Sequence, residues 1–215
     1  MSLKSFLRAI KLLKKLFFPQ LTKKRRNLFI SGRTFSIFFS FISWLNLKLS
    51  IIQYLDYLID SFLIEKAERN DIKAKRYIGS PQKYYFADIG LRNARLNFRQ
   101  VEENHIMENI IYNELLIRDY NVDVGVVDIR EGNLHKKLEI DFVCNQGNKR
   151  YYVQVALNID TRERNLQESK PLNNIGDNFK KIIVVKDTIK HWITEDGILI
   201  IGAQEFLLDK NSLDL

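Results

Sequence analysis

The sequence predicts an α/β protein in which a helix and a basic hairpin precede a domain of helices and strands. Three observations predict it. Ile51, Ile52, Leu55, Leu58 and Ile59 recur at helical spacing, and short strand-like runs follow them. A second helical pattern over 105–119 then leads into two alternating segments, 138–144 and 151–157. Lys181–Val185 and Gly197–Ile201 are continuous apolar runs of the kind buried on both faces of a sheet. Three segments result: a basic helix and irregular stretch over 1–48, a helix–hairpin region over 49–98, and an α/β domain over 99–215.

Composition narrows the class. A chain of 215 residues with 46% hydrophobic and 12% aromatic content can bury a core, which excludes wholesale disorder. Nine glycines and three prolines exclude linker-like or collagen-like architecture. The single cysteine, Cys144, leaves no partner for an internal disulfide, and three histidines supply a histidine-built metal site poorly. A reducing, cytoplasmic location is expected. The net charge of +8 conceals a polarity. Residues 1–100 hold 20 Lys and Arg against 6 Asp and Glu, whereas the remainder holds 14 against 20. A basic front attracts polyanions such as nucleic acid, anionic lipid or an acidic protein surface.

Residues 3–18 carry Leu3, Phe6, Leu7, Ile10, Leu13 and Phe17 at spacings of three and four, with lysines and Arg8 between them. This amphipathic helix would pack on the following region or lie on a membrane surface. The uncharged run 34–47 is shorter than the about 20 residues that span a bilayer, so no membrane crossing is expected.

Ser50 is placed to cap the helix that follows it. Segments 63–69 and 73–78 read as a hairpin turning at Asn70–Asp71, studded with Lys66, Arg69, Lys73, Lys75 and Arg76, and Lys83–Phe86 as a further short strand. A helix followed by a basic hairpin is the skeleton of a winged helix, whose wing contacts phosphates. The five basic residues are therefore candidate nucleic-acid contacts. The alternative is a solvated connector whose lysines discourage edge pairing.

Glu108 borders the buried stripe of the 105–119 helix, where a carboxylate is costly unless paired or useful; Arg118 or a lysine would be its structural partner. Strand alternation puts Glu139, Asp141 and Val143 on one face and Ile140, Phe142 and Cys144 on the other; Tyr152, Gln154 and Ala156 share a face of the next strand. Glu108, Asp141 and Gln154 could converge on one Mg2+ or Mn2+ ion, which takes hard oxygen ligands and keeps several waters.

In this order, Glu108-Asn-Ile-Ile-Tyr-Asn-Glu114-Leu-Leu, Glu139-Ile-Asp141-Phe-Val and Tyr152-Val-Gln154-Val-Ala156 resemble the PD-(D/E)XK nuclease-like domain. More closely, the chain resembles the C-terminal domain of unknown function found behind AAA-type ATPase modules in many bacteria and archaea. Upstream, Tyr54-Leu-Asp-Tyr-Leu58, Phe62-Leu-Ile64, Lys83-Tyr-Tyr-Phe86 and Asp88-Ile-Gly-Leu-Arg-Asn93 are similar to that family's winged-helix linker. Downstream, Thr161-Arg-Glu-Arg164, Asp196-Gly-Ile198 and Phe206-Leu-Leu-Asp209 fit as well. The resemblance covers roughly residues 49–210. It implies a winged-helix-like region followed by a restriction-endonuclease-like mixed sheet, with Asp141 and Glu108 as metal-binding acids.

Two departures shape the functional expectation. No Gly-x-x-x-x-Gly-Lys-Ser/Thr loop occurs, so this chain is not expected to bind ATP by that route, and an ATPase module would act in trans. Gln154 stands where the family has a metal-ligating acid and Ala156 where it has a lysine, whose loss removes about 3 kcal/mol of electrostatic stabilisation. Lys137, Lys149 or the Arg162/Arg164 pair would have to replace it. A disturbed reading frame upstream would explain why residues 28–47 do not match. The expected function is therefore binding of DNA or a protein partner by an accessory domain whose nuclease-like part is inactive. A Mg2+- or Mn2+-dependent nuclease is the alternative, and membrane-surface association through residues 1–18 a third.

Overall fold

The computed structural model describes residues 49–99, 102–132 and 134–215. The N-terminal helix over 3–18 and the uncharged run 34–47 lie outside the described residues. Residues Tyr54–Leu215 form one compact unit. Helix α1 is described over 49–60. The strands β1 (Ile64–Asp71) and β2 (Arg76–Phe86) follow, then helices α2 (Ile89–Arg95) and α3 (Glu103–Ile117). Next come β3 (Asn121–Glu131), β4 (Leu134–Gln146), β5 (Lys149–Ala156) and α4 (Arg162–Asn173). The chain ends with β6 (Lys180–Val185), β7 (Trp192–Ile193), β8 (Ile198–Gly202) and α5 (Ala203–Leu208).

The eight strands among the described residues join one mixed sheet, in the order β2-β1-β3-β4-β5-β6-β8-β7. The expected α/β architecture, a large mixed sheet flanked by helices, is what the chain adopts. Alternation on the central strands divides the core between the two faces. Ile182 and Val184 of β6, with Leu199 and Ile201 of β8, pack beside Ile111, Tyr112 and Leu115 of α3 and Phe206 of α5. Ile183, Val185, Ile198 and Ile200 turn to the other face and pack with Leu172 of α4. A strand covered on both faces needs apolar residues at every position, which is why these two runs were readable as central strands.

The hairpin is longer than its sequence suggests. The turn falls at 72–75 rather than Asn70–Asp71, so it takes in 73–75 of the expected second strand, and residues 76–78 and 83–86 belong to the single strand β2. Lys75 holds the left-handed conformation of that turn, with φ of 50°. Nor does the hairpin stand apart from the residues beyond 98. β1 pairs in parallel with β3, Arg69 opposite Val124, so β2 is the outer edge of the common sheet. Pro81 and Lys83 on that edge discourage further strand pairing.

Strand β3 is absent from the sequence reading, and it carries the irregularity that shapes the site. Asp123 pairs with Val143 but Gly125 with Ile140, so Asp141 and Phe142 together face Val124 across a β-bulge. The bulge corrects the expected faces of β4. Val143 joins Ile140 on the α4 side, while Phe142 and Cys144 pack on the α3 side. Gly125 accommodates the crowding this creates, because a Cβ there would lie 2.9 Å from both Val143 Cγ2 and Ile72 Cδ1 and 3.0 Å from Ile140 Cβ.

Candidate functional site

The site forms where α3, β2, β4 and β5 meet. Helix α3 is stitched to the open edge of β2 by two asparagines. Asn109 Oδ1 accepts from Phe86 N–H at 2.8 Å, and its Nδ2 donates to Phe86 O at 2.8 Å. Asn113 Nδ2 adds bonds to the carbonyls of Phe86 and Ala87. These side chains satisfy backbone groups that a sheet edge otherwise leaves to water. One residue before Asn109, Glu108 thereby faces the side chains of β2.

Glu108 Oε1 accepts from Tyr85 OH at 2.6 Å and lies 2.9 Å from Lys83 Nζ. Lys83 also reaches Glu139 Oε1 at 2.6 Å and Asp141 Oδ1 at 3.8 Å. Arg69 approaches Glu139 Oε2 at 2.7 Å from the adjoining strand. Two cations thus serve three carboxylates, with the Glu108 and Asp141 side chains only 15% and 14% exposed. The Tyr85 ring stacks on Tyr112 at 4.0 Å between centroids, fixing the phenol that binds Glu108.

Asp141 sits at the bulge and replaces a missing rung of the β4–β5 ladder. Their regular pairing reaches only Phe142 and Val153. Beyond it, Asp141 Oδ2 accepts from Val155 N–H at 2.9 Å, and Gln154 Oε1 accepts from Asp141 N–H at 3.3 Å. Gln154 Nε2 donates to Glu168 Oε2 of α4 at 3.1 Å. Gln154 therefore touches the backbone of Asp141 while its amide nitrogen serves the opposite layer.

Electrostatics follow from this packing. Burial pushes the Asp141 carboxyl up to about 7, and Glu108 adds to the rise; Lys83 and the Val155 N–H oppose it without cancelling it. Burial works against the Lys83 ammonium too, but Glu108, Glu139 and Asp141 outweigh it and raise its pKa. Burial raises Glu168, with Gln154 opposing. Near neutral pH the cluster therefore holds a permanent internal cation beside a carboxyl that exchanges a proton.

Of the three residues predicted to share a cation, Glu108 and Asp141 do lie together, on either side of Lys83. Gln154 contacts Asp141 through its main chain. The Mg2+ or Mn2+ ion implied by the family resemblance does not fit this arrangement. An ammonium fills the space between the acids, Asp141 Oδ2 is committed to the sheet, and the Gln154 carbonyl faces an N–H. Among the described residues, no three acidic, histidine or cysteine side chains are grouped to hold a metal. A cleft between α4 and β8, lined by Arg162, Asn165, Ser169, Thr194 and Asp196, includes none of the three predicted residues.

The cation missing at Ala156 comes from none of the expected positions. Lys149 pairs with Asp214 and Arg164 bonds Asn158. Lys137 lies far along β4, opposite Asp128 of β3, and Arg162 lines the α4–β8 cleft. The ammonium that lies beside Asp141 is instead that of Lys83, 3.8 Å away. Its signal was the alternation within Lys83-Tyr-Tyr-Phe86, which puts the lysine and Tyr85 on one face. Arg118, the other suggested partner of Glu108, binds Glu114 at 2.8 Å.

The five basic residues of the hairpin divide. Arg69 is held by Glu139, and Lys66 lies 3.2 Å from Glu68. Lys73 donates to the Asp128 carbonyl at 2.9 Å, a bond that leaves its charge uncompensated. Lys75 and Arg76 are exposed at the turn, and no acid pairs with them or with Lys73 among the described residues.

Two comparisons bear on this arrangement. Residues 103–206 match the family described as Domain of unknown function (DUF4143), a span that contains Glu108, Asp141, Gln154 and Glu168 but not Lys83. An uncharacterized protein of Haemophilus influenzae is 37% identical over 160 residues, covering 74% of this chain and 37% of the relative. The chain thus spans little more than a third of the length of that relative.

Proposed function

We propose that this chain is the accessory binding part of an AAA-type ATPase-family protein, in which a basic winged-helix-like hairpin contacts duplex DNA. The PD-(D/E)XK-like domain behind it is a non-catalytic platform. The observation that carries this reading is the Lys83 ammonium, 2.9 Å from Glu108, 2.6 Å from Glu139 and 3.8 Å from Asp141. The acids of the supposed active site are neutralised by the protein itself and lock the hairpin edge to the rest of the sheet. ATP would be bound by an ATPase module outside these 215 residues, since no phosphate-binding loop occurs within them. The membrane alternative rests on residues 1–18, outside the described residues; among those described, no helix is long and apolar enough to cross a membrane.

Lys73, Lys75 and Arg76 form the DNA contact, and phosphate binding by three cations carries a salt signature. Each neutralised phosphate contributes about −0.9 to the slope of log K against log salt. Changing all three residues to Gln is expected to weaken duplex binding and to make that slope shallower by about 2.7, measured by fluorescence anisotropy in a salt series. Undetectable binding of the parent chain at low ionic strength would reject DNA and leave a protein partner as the reading.

A nuclease reading has one favouring observation: Lys83 supplies an ammonium beside Asp141, the charge that Ala156 cannot provide. Incubation of plasmid with purified chain and Mg2+ or Mn2+ is expected to give no cleavage above buffer. Cleavage that Asp141→Ala abolishes, with folding intact, would establish the nuclease and overturn the non-catalytic assignment.

A further inference from the structure

Two phenylalanines occupy positions where a phenylalanine is unfavourable twice over. Phe62 follows α1 with φ of 56°, in the C-terminal arrangement completed by Leu63 N–H donating to Leu58 O at 3.0 Å. Phe98 follows α2 with φ of 55°, directly after Asn97 at 51°, and its N–H donates to Asn93 O at 2.9 Å. Left-handed positions after helices favour Gly or Asn, because a Cβ crowds the carbonyl there. A bulky side chain in that conformation is an outlier that calls for a reason. Internal packing does not supply one, since Phe62 is 77% exposed and Phe98 67%. Glycine would relieve the backbone and remove apolar surface from water at both places. Retaining an aromatic ring at each is consistent with a surface covered by a partner.

The two helices leave the sheet from one corner. Ala87 N–H donates to Leu63 O at 3.1 Å, tying the end of α1 to the start of α2. Tyr54, Tyr57 and Leu91 are also exposed on these helices. Charge divides between them. Asp56 and Asp60 are the only charged residues of α1 from Tyr54 onward, whereas Arg92, Arg95 and Arg99 are those of α2 and its end. Asp56, Asp60, Arg95 and Arg99 are exposed. Acids exposed on α1 and arginines exposed on α2 are complementary to those of a second copy under a twofold rotation that sets α1 of one copy against α2 of its mate.

We infer that the α1–α2 corner is an isologous dimer interface, anchored by Phe62 and Phe98 and oriented by Asp56 and Asp60 facing Arg95 and Arg99 of a second copy. Aromatic residues, phenylalanine among them, and arginine are enriched at interfaces over the rest of a protein surface. The interface does not depend on DNA binding by the hairpin or on the inactivity of the carboxylate cluster.

Light scattering on the full chain across a concentration series tests it. The parent is expected to rise toward twice its 25.4 kDa mass. The Phe62→Gly/Phe98→Gly variant is expected to stay monomeric while melting close to the parent, because glycine fits both left-handed positions. Arg95→Asp/Arg99→Asp should also dissociate the dimer, and adding Asp56→Arg/Asp60→Arg should restore it. A parent that remains monomeric throughout, or a dimer that survives the glycine substitutions, would overturn the inference.

Discussion

Lys83→Met is expected to destabilise the chain by about 3 kcal/mol in urea unfolding near pH 8, the cost of removing one partner from a largely buried ion cluster. The aliphatic stem is retained, so the loss reports charge and not volume. Without Lys83, Glu108, Glu139 and Asp141 repel one another at a site where two of them are largely withdrawn from water, and Arg69 reaches only Glu139. The deficit should shrink near pH 5, where the carboxyls can take protons. It should also shrink when Glu108→Gln is added, so a double-mutant cycle should give a coupling of about 1–3 kcal/mol. Lys66→Met is the control. That lysine belongs to the same hairpin, but its 3.2 Å contact with Glu68 is a surface pair contributing about 0.5 kcal/mol or less. Equal effects at the two lysines would mean that Lys83 is no more than another surface cation.

Alternation puts Lys83 on one face with Tyr85, but it does not say which lysine of the hairpin meets the acids. What distinguishes Lys83 from Lys66 is tertiary: the packing of α3 on β2 and the parallel pairing of β1 with β3, between residues about fifty positions apart. Local patterns were legible where burial imposed them. Lys181–Val185 and Gly197–Ile201 had to be apolar at every position, and the 105–119 helix displayed its stripe. Strand β3 was lost because the apolar phase switches from Val122, Val124 and Val126 to Val127 and Ile129, and because Gly125, which answers to the bulge on its neighbour, reads as a breaker. The bulge itself has no local signature: Glu139-Ile-Asp141-Phe-Val alternates regularly until tertiary register inserts one residue and moves Phe142 and Val143 to new faces. Glu108 and Asp141 were recognisable as costly or conspicuous acids. That a lysine would lie between them, and that Gln154 would face a backbone N–H, depended on the register of four separate elements.

Asp141→Asn is expected to change the pH dependence of stability more than stability itself. The folded-state pKa of Asp141, about 7, lies above the unfolded carboxyl value of about 4. Between these values the folded chain binds a proton that the unfolded chain releases, so stability falls as pH rises through the window, by up to about 1.4 kcal/mol per pH unit for this group. Burial raises Glu168 and Asp123 in the same direction, whereas Asp214, lowered by Lys149 and Tyr151, acts only in the acid range below its ordinary value. Lys83, raised by its three acids despite burial, retains its contribution until the pH passes above the ordinary lysine value, well outside the window. Asparagine keeps an acceptor for Val155 N–H but cannot ionise. Urea midpoints of the parent should therefore decline from about pH 5 to 8, corresponding to about 2 kcal/mol, and the variant should lose most of that decline. At pH 8 the variant should match or exceed the parent, because the ionised carboxylate beside Glu108 is removed. A parent whose stability rises with pH across this range, or an Asn variant with an unchanged slope, would place the titrating proton elsewhere and leave Asp141 as an ordinary ionised partner of Lys83.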